Sequence, residues 1–283
     1  MTKIKVAELF YSIQGEGRYM GVPSIFLRTF GCNFTCAGFG MPRGEKSQEA
    51  TKVAELNGFN PYLSYDELPL VSTGCDSYAS WMSEFKHLSP MLTTDAIAER
   101  IMELLPNKIW QDEHLVITGG EPLLGWQRAY PDLLNHPKMT GLKELTFETN
   151  GTQRLSDDFK RYLFDNWKNR KDNLTFSVSP KLSVSGENLE ESICTSIVCE
   201  YEWYGYTYLK FVVATEADAE EAAYATETYR AAGFKGPVYL MPVGGVESIY
   251  SLNNRRVAEL AMKMGVRYSD RLQVPLFKNA WGT

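Results

Sequence analysis

Short apolar runs alternate with longer amphipathic stretches along most of the chain. The runs are rich in Val, Ile, Leu, Phe and Tyr, and several of them lack the polar–apolar alternation of a half-exposed strand. Continuous apolar runs of this length are typical of strands that are buried on both faces, as in a parallel sheet. The pattern predicts strands at residues 24–30, 114–118, 144–148, 174–179, 208–213 and 238–241.

The stretches between these strands carry apolar residues at helical spacing. Ile97 and Ile101 lie one turn apart after Thr94, a candidate N-cap. Residues 217–232 and 257–264 are each followed by a glycine, which commonly ends a helix. This alternation of strands and helices indicates an α/β protein with a parallel sheet, either open or curled into a partial barrel. In such folds the functional residues lie at the carboxyl ends of the strands.

Residues 37–73 interrupt the alternation. Glycine and proline recur through this segment, and one short helix is predicted at residues 48–56. Two interpretations stay open at this stage. The segment is either a loop-rich subdomain or lid over a site, or a surface excursion with no part in catalysis.

Composition and charge narrow the class of protein. The chain has 283 residues, a hydrophobic content of 44% and a net charge of −6. These values allow one domain with an insertion, and they give no electrostatic footprint for nucleic acid or anionic lipid. No run approaches the ~20 apolar residues of a membrane span, and the N-terminal residues do not resemble a signal peptide. Five scattered cysteines argue against a disulfide framework and favour a reducing cytoplasm.

Three of the cysteines give the strongest chemical signal. Cys32 and Cys36 follow the first predicted strand, and 38 residues (75 − 36 − 1) separate Cys36 from Cys75. Thiolates select zinc or iron–sulfur clusters, but a closed zinc site needs a fourth ligand, and none of the histidines has zinc-motif spacing. With Cys75 as third ligand, the cysteines would hold a four-iron cluster and leave one iron open. The alternative is that Cys32 and Cys36 are buried core thiols.

Six short sequence blocks, two of which contain these cysteines, follow one another along the chain in an order that is typical of one protein family. They are Gln14-Gly15-Glu16-Gly17, Gly31-Cys32-Asn33, Cys75-Asp76-Ser77, Thr118-Gly119-Gly120-Glu121-Pro122, Glu148-Thr149-Asn150 and Ser179-Pro180-Lys181. Through these blocks the chain resembles the radical S-adenosylmethionine family, and most closely the 7-carboxy-7-deazaguanine synthases within it. That family normally has two residues between its second and third cysteines. We therefore interpret the chain as one domain, residues 1–283, with residues 37–73 inserted in the cluster loop.

The resemblance implies a partial (β/α) barrel of the radical S-adenosylmethionine type with a loop-rich insertion in its cluster loop. It implies a [4Fe-4S] cluster on Cys32, Cys36 and Cys75, and a magnesium ion on Ser77, where the family usually has threonine. Residues implied to bind S-adenosylmethionine are Gly74, Asp76, Gly119, Gly120, Glu121, Glu148, Asn150, Ser179, Pro180 and Lys181. Residues implied to bind the substrate are Ile13, Gln14, Gly15, Glu16, Arg28 and Thr118.

The chemistry of individual side chains agrees with several of these roles. Gln14 and Glu16 can form in-plane hydrogen bonds with the amide and amino edge of a pterin. The planar guanidinium of Arg28 suits a carboxylate, with an internal ion pair as the alternative. A serine oxygen at Ser77 is a suitable magnesium ligand. The segment 148–151 has the alternative of an ordinary polar turn.

The two remaining cysteines are expected to be structural. Cys194 and Cys199 lie in a predicted helix at residues 190–199. Either could in principle replace Cys75 as third ligand. Cys75 is preferred because the family-like residues Asp76 and Ser77 follow it.

The activity implied is the ring contraction of 6-carboxy-5,6,7,8-tetrahydropterin to 7-carboxy-7-deazaguanine, a step of queuosine-type biosynthesis. An electron donor such as flavodoxin is implied, with no direct contact to nucleic acid or membrane, and a homodimer is left open. Two alternatives remain. One is a glycyl-radical-activating enzyme of the same architecture, and the other is a catalytically degenerate relative that acts as a protein-binding module.

Overall fold

Residues 2–283 fold around one nine-stranded sheet. The computed structural model describes residues 2–283, with side chains throughout except at positions 170 and 171. The strands are β1 (Lys3–Ile13), β2 (Pro23–Thr29), β3 (Met91–Thr93), β4 (His114–Gly119), β5 (Glu144–Thr149), β6 (Leu174–Val178), β7 (Tyr206–Val213), β8 (Val238–Pro242) and β9 (Arg267–Tyr268).

Helices connect these strands. They are α1 (Glu49–Phe59), α2 (Thr94–Leu104), α3 (Tyr130–Leu134), α4 (Asp157–Trp167), α5 (Leu189–Ser192), α6 (Thr195–Tyr204), α7 (Glu216–Ala231), α8 (Glu247–Met264) and α9 (Gln273–Phe277). Short 3₁₀ turns occur at Gly17–Tyr19, Tyr65–Glu67, Tyr78–Ser80, Ser83–Leu88, Pro137–Met139, Lys168–Asn173 and Ser183–Ser185. None of the helices among residues 2–283 has both the length and the apolar character that a bilayer crossing requires.

The strand order places the carboxyl ends of most strands at one edge. The order is β3-β1-β2-β4-β5-β6-β7-β8-β9, in which β1 pairs antiparallel with both β2 and β3. From β2 to β9 every neighbouring pair is parallel. The predicted α/β partial barrel is confirmed, because sequential parallel strands joined by helices form a sheet that does not close on itself. The loops after these strands therefore meet at one end of the sheet.

The six strands predicted from apolar runs are all present, each within two residues of its predicted bounds. The helix predicted at residues 190–199 is wrong as a single element. It divides into α5 and α6, because Ile193 and Cys194 leave helical geometry with ψ angles of 81° and 72°. Cys194 instead precedes the first turn of α6 as its N-cap residue.

Three apolar clusters occur among residues 2–283, and the two larger ones hold most of these elements. The larger of these two lies between the sheet and its helices, and it includes Tyr130, Phe147, Phe159 and Phe176. The smaller of the two joins the segment 37–73 to the rest of the chain. Its buried members are Ala7, Val53, Ala54, Tyr65, Leu68, Val71, Tyr78, Ala79 and Phe85. Part of the segment 37–73 is therefore packed against the rest of the chain.

The centre of the larger cluster provides a test of the packing. Phe147 is fully buried and contacts the rings of Tyr130, Phe159 and Phe176 at centroid distances of 5.3–5.7 Å. We expect Phe147→Ala to lower the free energy of unfolding by about 3–5 kcal/mol, because it removes the ring and leaves a cavity. Denaturant titration measures the change. Tyr224→Ala, at a position that is 63% exposed, is the control and should change the stability little. Similar losses in the two variants would contradict this assignment of the core.

Candidate active site

A cleft opens at the edge of the sheet where the parallel strands end. It is lined by residues from the loops after β2, β4, β5, β6 and β8, from strands that include β1 and β7, and from residues 271–283. All the site residues predicted from the sequence line it except Glu121 and Pro180. The structure thus brings together side chains that lie more than 150 positions apart in the sequence, such as Arg28 and Lys181.

The three predicted cluster cysteines share this cleft and are unpaired. Burial raises the pKa of Cys32 to about 12. Burial also raises the pKa of Cys36; Lys181 opposes this, and the neighbouring Cys75 and Cys32 raise it further. A metal centre that takes up these thiolates must therefore displace their protons.

Two of the sulfur atoms receive hydrogen bonds from N–H groups. The backbone N–H of Phe34 donates to Cys32 Sγ at 3.4 Å, and Trp81 Nε1 donates to Cys75 Sγ at 3.4 Å. Ser77 Oγ lies 3.5 Å from the same Cys75 sulfur. Hydrogen bonds to thiolate ligands are one of the ways in which a protein sets the reduction potential of an iron–sulfur cluster.

The arrangement of the three cysteines suits a cluster better than a single ion. Among residues 2–283, no three His, Cys, Asp or Glu side chains converge at the spacing of a one-ion site. A four-iron cluster held by three cysteines does not require such convergence, because each thiolate binds a different iron. Three free cysteines around one cleft, with N–H donors directed at two of the sulfurs, match that requirement.

Glu187 fixes the backbone at Cys36. Its Oε1 accepts hydrogen bonds from Thr35 N at 2.8 Å, Thr35 Oγ1 at 2.8 Å and Cys36 N at 2.6 Å. Cys36 has a φ of 51°, in the left-handed region that residues with a Cβ rarely adopt. The three bonds hold this unfavourable conformation. The sequence gives no signal for Glu187, since its role arises only when the loop after β6 meets the cysteine loop.

Cys194 and Cys199 lie apart from this group. Cys194 Sγ is 3.4 Å from the carbonyl oxygen of Glu191, and Cys199 Sγ is 3.6 Å from that of Ala232. Neither lines the cleft. Cys75 therefore shares the cleft with Cys32 and Cys36, as the preferred assignment requires, and its role as ligand stays a prediction.

The glycines after β4 pack against the cysteine loop. A Cβ on Gly119 would lie 2.4 Å from the carbonyl oxygen of Thr29, and one on Gly120 would lie 2.4 Å from that of Gly31. Gly120 would also approach Cys32 Cβ at 2.7 Å. Glycine is therefore required here for close contact between two backbones, in addition to the predicted approach of a ligand.

Glu121 and Pro180 lie behind the wall of the cleft. The fully buried Glu121 carboxylate accepts from Thr149 Oγ1 at 2.8 Å and from the backbone N–H of Asn150 at 2.7 Å. Burial raises its pKa to about 7, although these hydrogen bonds oppose the shift. The geometry gives no support for direct cofactor contact by the Glu121 side chain, because that side chain joins the loops after β4 and β5.

A network of charged side chains crosses the part of the cleft that includes Glu16. The Glu16 carboxylate forms an ion pair with Lys210. It also accepts hydrogen bonds from Arg271 Nε at 3.3 Å and from Gln273 Nε2 at 2.8 Å. Burial opposes ionisation of Glu16, but Lys210 and Arg271 lower its pKa to about 2. Arg271 also donates to Asp76 Oδ2 at 2.5 Å. The predicted substrate residue Glu16 is thus linked to the residue after Cys75.

Gln14 is fixed from both ends of its amide. Its Nε2 donates to Glu148 Oε1 at 3.1 Å, and its Oε1 accepts from the backbone N–H of Glu16 at 3.0 Å. Asn150 Nδ2 donates to Asn33 Oδ1 at 2.9 Å beside the cysteine loop. These contacts fix the orientation of the side-chain amides of Gln14 and Asn150. A ligand can contact only the parts of these amides that the contacts leave open.

Arg28 forms the internal ion pair that was the alternative to substrate binding, but only with part of its guanidinium. Its Nε donates to Glu8 Oε2 at 2.7 Å, across the pairing of β1 with β2. In the described part of the chain, no group accepts a hydrogen bond from its two Nη atoms. Arg28 lines the cleft beside Phe10, whose ring stacks on Phe26 with centroids 5.0 Å apart. The ion pair fixes the orientation of the Arg28 guanidinium and leaves its two Nη atoms to donate hydrogen bonds to a ligand.

Sequence reasoning missed several residues of the cleft. Lys210 is a lone cation in an apolar strand, so the argument applied to Arg28 could have found it. Arg271, Gln273 and Trp281 come from the last part of the chain and carry no motif. Trp281 packs against Tyr65 and Tyr78, with ring centroids 5.3 and 5.6 Å apart.

Comparison with known proteins gives a consistent result. No protein-family model matches the chain. A protein named 7-carboxy-7-deazaguanine synthase from Halobacterium salinarum is 29% identical over 302 residues, covering 98% of this chain and 91% of the relative. One of the same name from Pyrobaculum aerophilum is 25% identical, covering 99% of this chain and 97% of the relative.

The fold has a counterpart among solved structures. A crystal structure of QueE from Escherichia coli is similar with a TM-score of 0.56 and 20% identity, covering 95% of this chain and 94% of that one. At this identity the likeness concerns the fold. The sequence relatives confirm what the motifs predict: the chain is similar over nearly its whole length to proteins named 7-carboxy-7-deazaguanine synthase.

Proposed function

We propose that this chain is a radical S-adenosylmethionine lyase that converts 6-carboxy-5,6,7,8-tetrahydropterin to 7-carboxy-7-deazaguanine, for the biosynthesis of 7-deazaguanines such as queuosine. The observation that carries the proposal is the placement of Cys32, Cys36 and Cys75 around one cleft that also holds Arg28 and Glu16. Relatives that match almost the whole chain are named for this activity. A bound cluster with S-adenosylmethionine supplies the radical chemistry for the rearrangement.

The protein's own residues bind and orient the substrate in this proposal. Arg28 offers its two Nη atoms to the substrate carboxylate while Glu8 holds Nε. Gln14 presents an amide whose direction is fixed by Glu148. Glu16 is ionised and already paired, so it contributes a preorganised negative charge that needs no rearrangement when a ligand arrives.

Magnesium is the third cofactor of the proposal. Ser77 lines the cleft two residues after Cys75, and its hydroxyl is an oxygen ligand of the kind that magnesium prefers. A magnesium ion held there would polarise the carboxylate that Arg28 binds. The serine keeps the oxygen of the usual threonine, although it lacks the methyl group that restricts χ1.

The setting of the reaction forms part of the same proposal. Electrons reach the cluster from a donor such as flavodoxin, and the enzyme acts in the cytoplasm, where cysteines stay reduced. All five cysteines are unpaired, which suits that compartment. A homodimer stays a prediction. The glycyl-radical-activating and the degenerate alternatives are less well supported, because the relatives carry the synthase name and the cysteines share a cleft.

The proposal is tested by anaerobic reconstitution of the cluster and mass spectrometry of the products. With the tetrahydropterin acid, S-adenosylmethionine, magnesium and a reductant, we expect 7-carboxy-7-deazaguanine together with 5′-deoxyadenosine. Formation of 5′-deoxyadenosine without the deazaguanine would favour another radical enzyme. Absence of both, with no bound iron, would favour the degenerate relative.

The cluster assignment leads to a prediction for Cys75. We expect Cys75→Ala to abolish the visible absorbance of the cluster, because it removes one of only three thiolate ligands. Iron and sulfide content per chain and the absorbance spectrum measure the result. Cys194→Ala and Cys199→Ala are the controls and should retain a full cluster, since neither cysteine lines the cleft. A full cluster and full activity in Cys75→Ala would contradict the assignment.

Binding of the substrate carboxylate should depend on the planar guanidinium of Arg28. Lysine keeps the positive charge but loses the two directed Nη donors, so we expect Arg28→Lys to raise the KM for the pterin roughly tenfold. Slow, uncoupled cleavage of S-adenosylmethionine should persist, as 5′-deoxyadenosine analysis would show. Arg255→Lys is the control at an exposed position of α8. An unchanged rate at low substrate concentration would rule out this role.

The magnesium role of Ser77 is tested separately. We expect Ser77→Ala to need a much higher magnesium concentration for half-maximal rate, because one oxygen ligand of a hard cation is lost. Ser77→Thr should match the parent or exceed it. Iron content should not change in either variant. If Ser77→Ala responds to magnesium as the parent does, or if the parent stays active after chelation of magnesium, the assignment is wrong.

A further inference from the structure

The chain between Cys36 and Cys75 leaves the cleft and returns to nearly the same point. Two backbone hydrogen bonds close this path. The N–H of Ser47 donates to the carbonyl oxygen of Ala37, the residue after Cys36, at 2.7 Å. The N–H of Gly74, the residue before Cys75, donates to the carbonyl oxygen of Phe39 at 2.7 Å. A Cβ on Gly74 would lie 4.0 Å from Ala37 Cα. The 38-residue excursion is therefore pinched together at its base, next to both cysteines.

The carboxylate of Glu49 joins the part of the segment that leaves the cleft to the part that returns to it. Glu49, the first residue of α1, accepts from Ser72 N at 2.6 Å through Oε2. Its Oε1 accepts from Ser72 Oγ at 2.6 Å and from Thr73 Oγ1 at 2.7 Å. Ser47 adds a contact between its hydroxyl and that of Thr73 at 2.7 Å. We call Glu49, Ser72 and Thr73 the clasp.

The electrostatics of the clasp agree with a charged acceptor. Partial burial works to raise the pKa of Glu49, but the hydrogen bonds from Ser72 and Thr73 lower it below the ordinary value. The carboxylate is therefore ionised near neutral pH. Hydrogen bonds to an ionised acceptor are stronger than those between neutral groups.

A long excursion between two ligands creates a problem that a short spacing does not have. Two intervening residues keep neighbouring thiolates close through the covalent chain alone. With 38 residues in between, the ends of the excursion separate freely unless other contacts hold them, and closing such a loop opposes conformational entropy. Ser72 and Thr73 of the clasp lie three and two residues before Cys75, so their hydrogen bonds to Glu49 can hold the returning chain in place.

We propose that Glu49 is a positioning residue that closes the base of the insertion and holds Cys75 beside Cys36, in place of the short spacing that is usual in the family. The inference rests on the proposed function, since it assumes that these cysteines bind one cluster. It gives the segment 37–73 a specific part in building the site. The apolar cluster around Tyr65 and Val71 orders the remainder of that segment.

The experiment compares four variants in the full chain. Glu49→Ala removes the clasp, and Glu49→Asp keeps a negative charge at the start of α1 but shortens the reach. Glu49→Gln keeps the length and loses the charge. Glu55→Ala is the matched control, because it removes an exposed carboxylate from the same helix.

Three measurements follow each variant. Amide hydrogen exchange at Ser72 and Gly74 in the metal-free protein reports whether the base is closed. The rate of alkylation of Cys75 relative to Cys36 reports the position of the third thiol. Iron retained in the presence of a chelator after reconstitution reports the effect on the cluster, and thermal unfolding of the metal-free protein separates these effects from a general loss of stability.

We expect exchange at Ser72 to become roughly tenfold faster or more in Glu49→Ala, the factor that corresponds to losing one hydrogen bond to a charged group. Alkylation of Cys75 should increase relative to Cys36, and iron should be lost faster. Glu49→Asp should behave like Glu49→Ala, Glu49→Gln should be intermediate, and Glu55→Ala should match the parent.

The proposal is overturned if Glu49→Ala keeps the parental Ser72 exchange, or if exchange increases while cysteine alkylation and iron retention do not change. It is also overturned if Glu55→Ala gives the same effects. Should Glu49→Ala fail to fold, the graded responses of Glu49→Gln and Glu49→Asp decide the question. A parent that binds no iron would refute the proposed function, whereas exchange and alkylation would still test the clasp.

Discussion

The geometry of the cleft depends on the pairing of charges that the fold buries there. Arg271 is the central member, because its guanidinium contacts Asp76, Glu16 and the carbonyl oxygen of Gly244, which belong to three separate parts of the chain. An unpaired buried charge is strongly destabilising, so these groups must stay together once the fold forms. Lys210 completes the pairing of Glu16. The residue after Cys75 and the predicted substrate loop are thereby held in one rigid arrangement.

Backbone packing sets the cysteine loop as firmly as these charges do. The chain after β4 passes so close to Gly31 that Gly120 admits no side chain, and Glu121 N donates to the Gly31 carbonyl at 2.8 Å. The Glu121 side chain then fixes the start of the loop after β5 through Asn150. Parallel pairing of β2, β4 and β5 brings these loops to one edge, and short backbone contacts convert that proximity into a defined site.

The sequence predicted the strands well because their signal is local. An apolar run that is buried on both faces needs no knowledge of its partners, and the six runs all became strands. The break at Ile193 between α5 and α6 was missed, since the residues around it have no proline or glycine. Lys210 could have been found as a cation in an apolar strand. Arg271 and Glu187 could not, because their roles exist only after distant loops meet.

Residues 37–73 show the same limit of prediction from local sequence. Whether residues 37–73 form a lid, a subdomain or a surface excursion depends on contacts between the two ends of the segment, and local sequence does not show those contacts. Those contacts, from Glu49 to Ser72 and Thr73, replace a constraint that a two-residue spacing supplies through covalent bonds. A covalent constraint persists in the unfolded chain, whereas a hydrogen-bonded one is lost with the fold. Any centre bound by Cys36 and Cys75 together is therefore coupled thermodynamically to folding of residues 37–73, and its binding energy stabilises that segment in return.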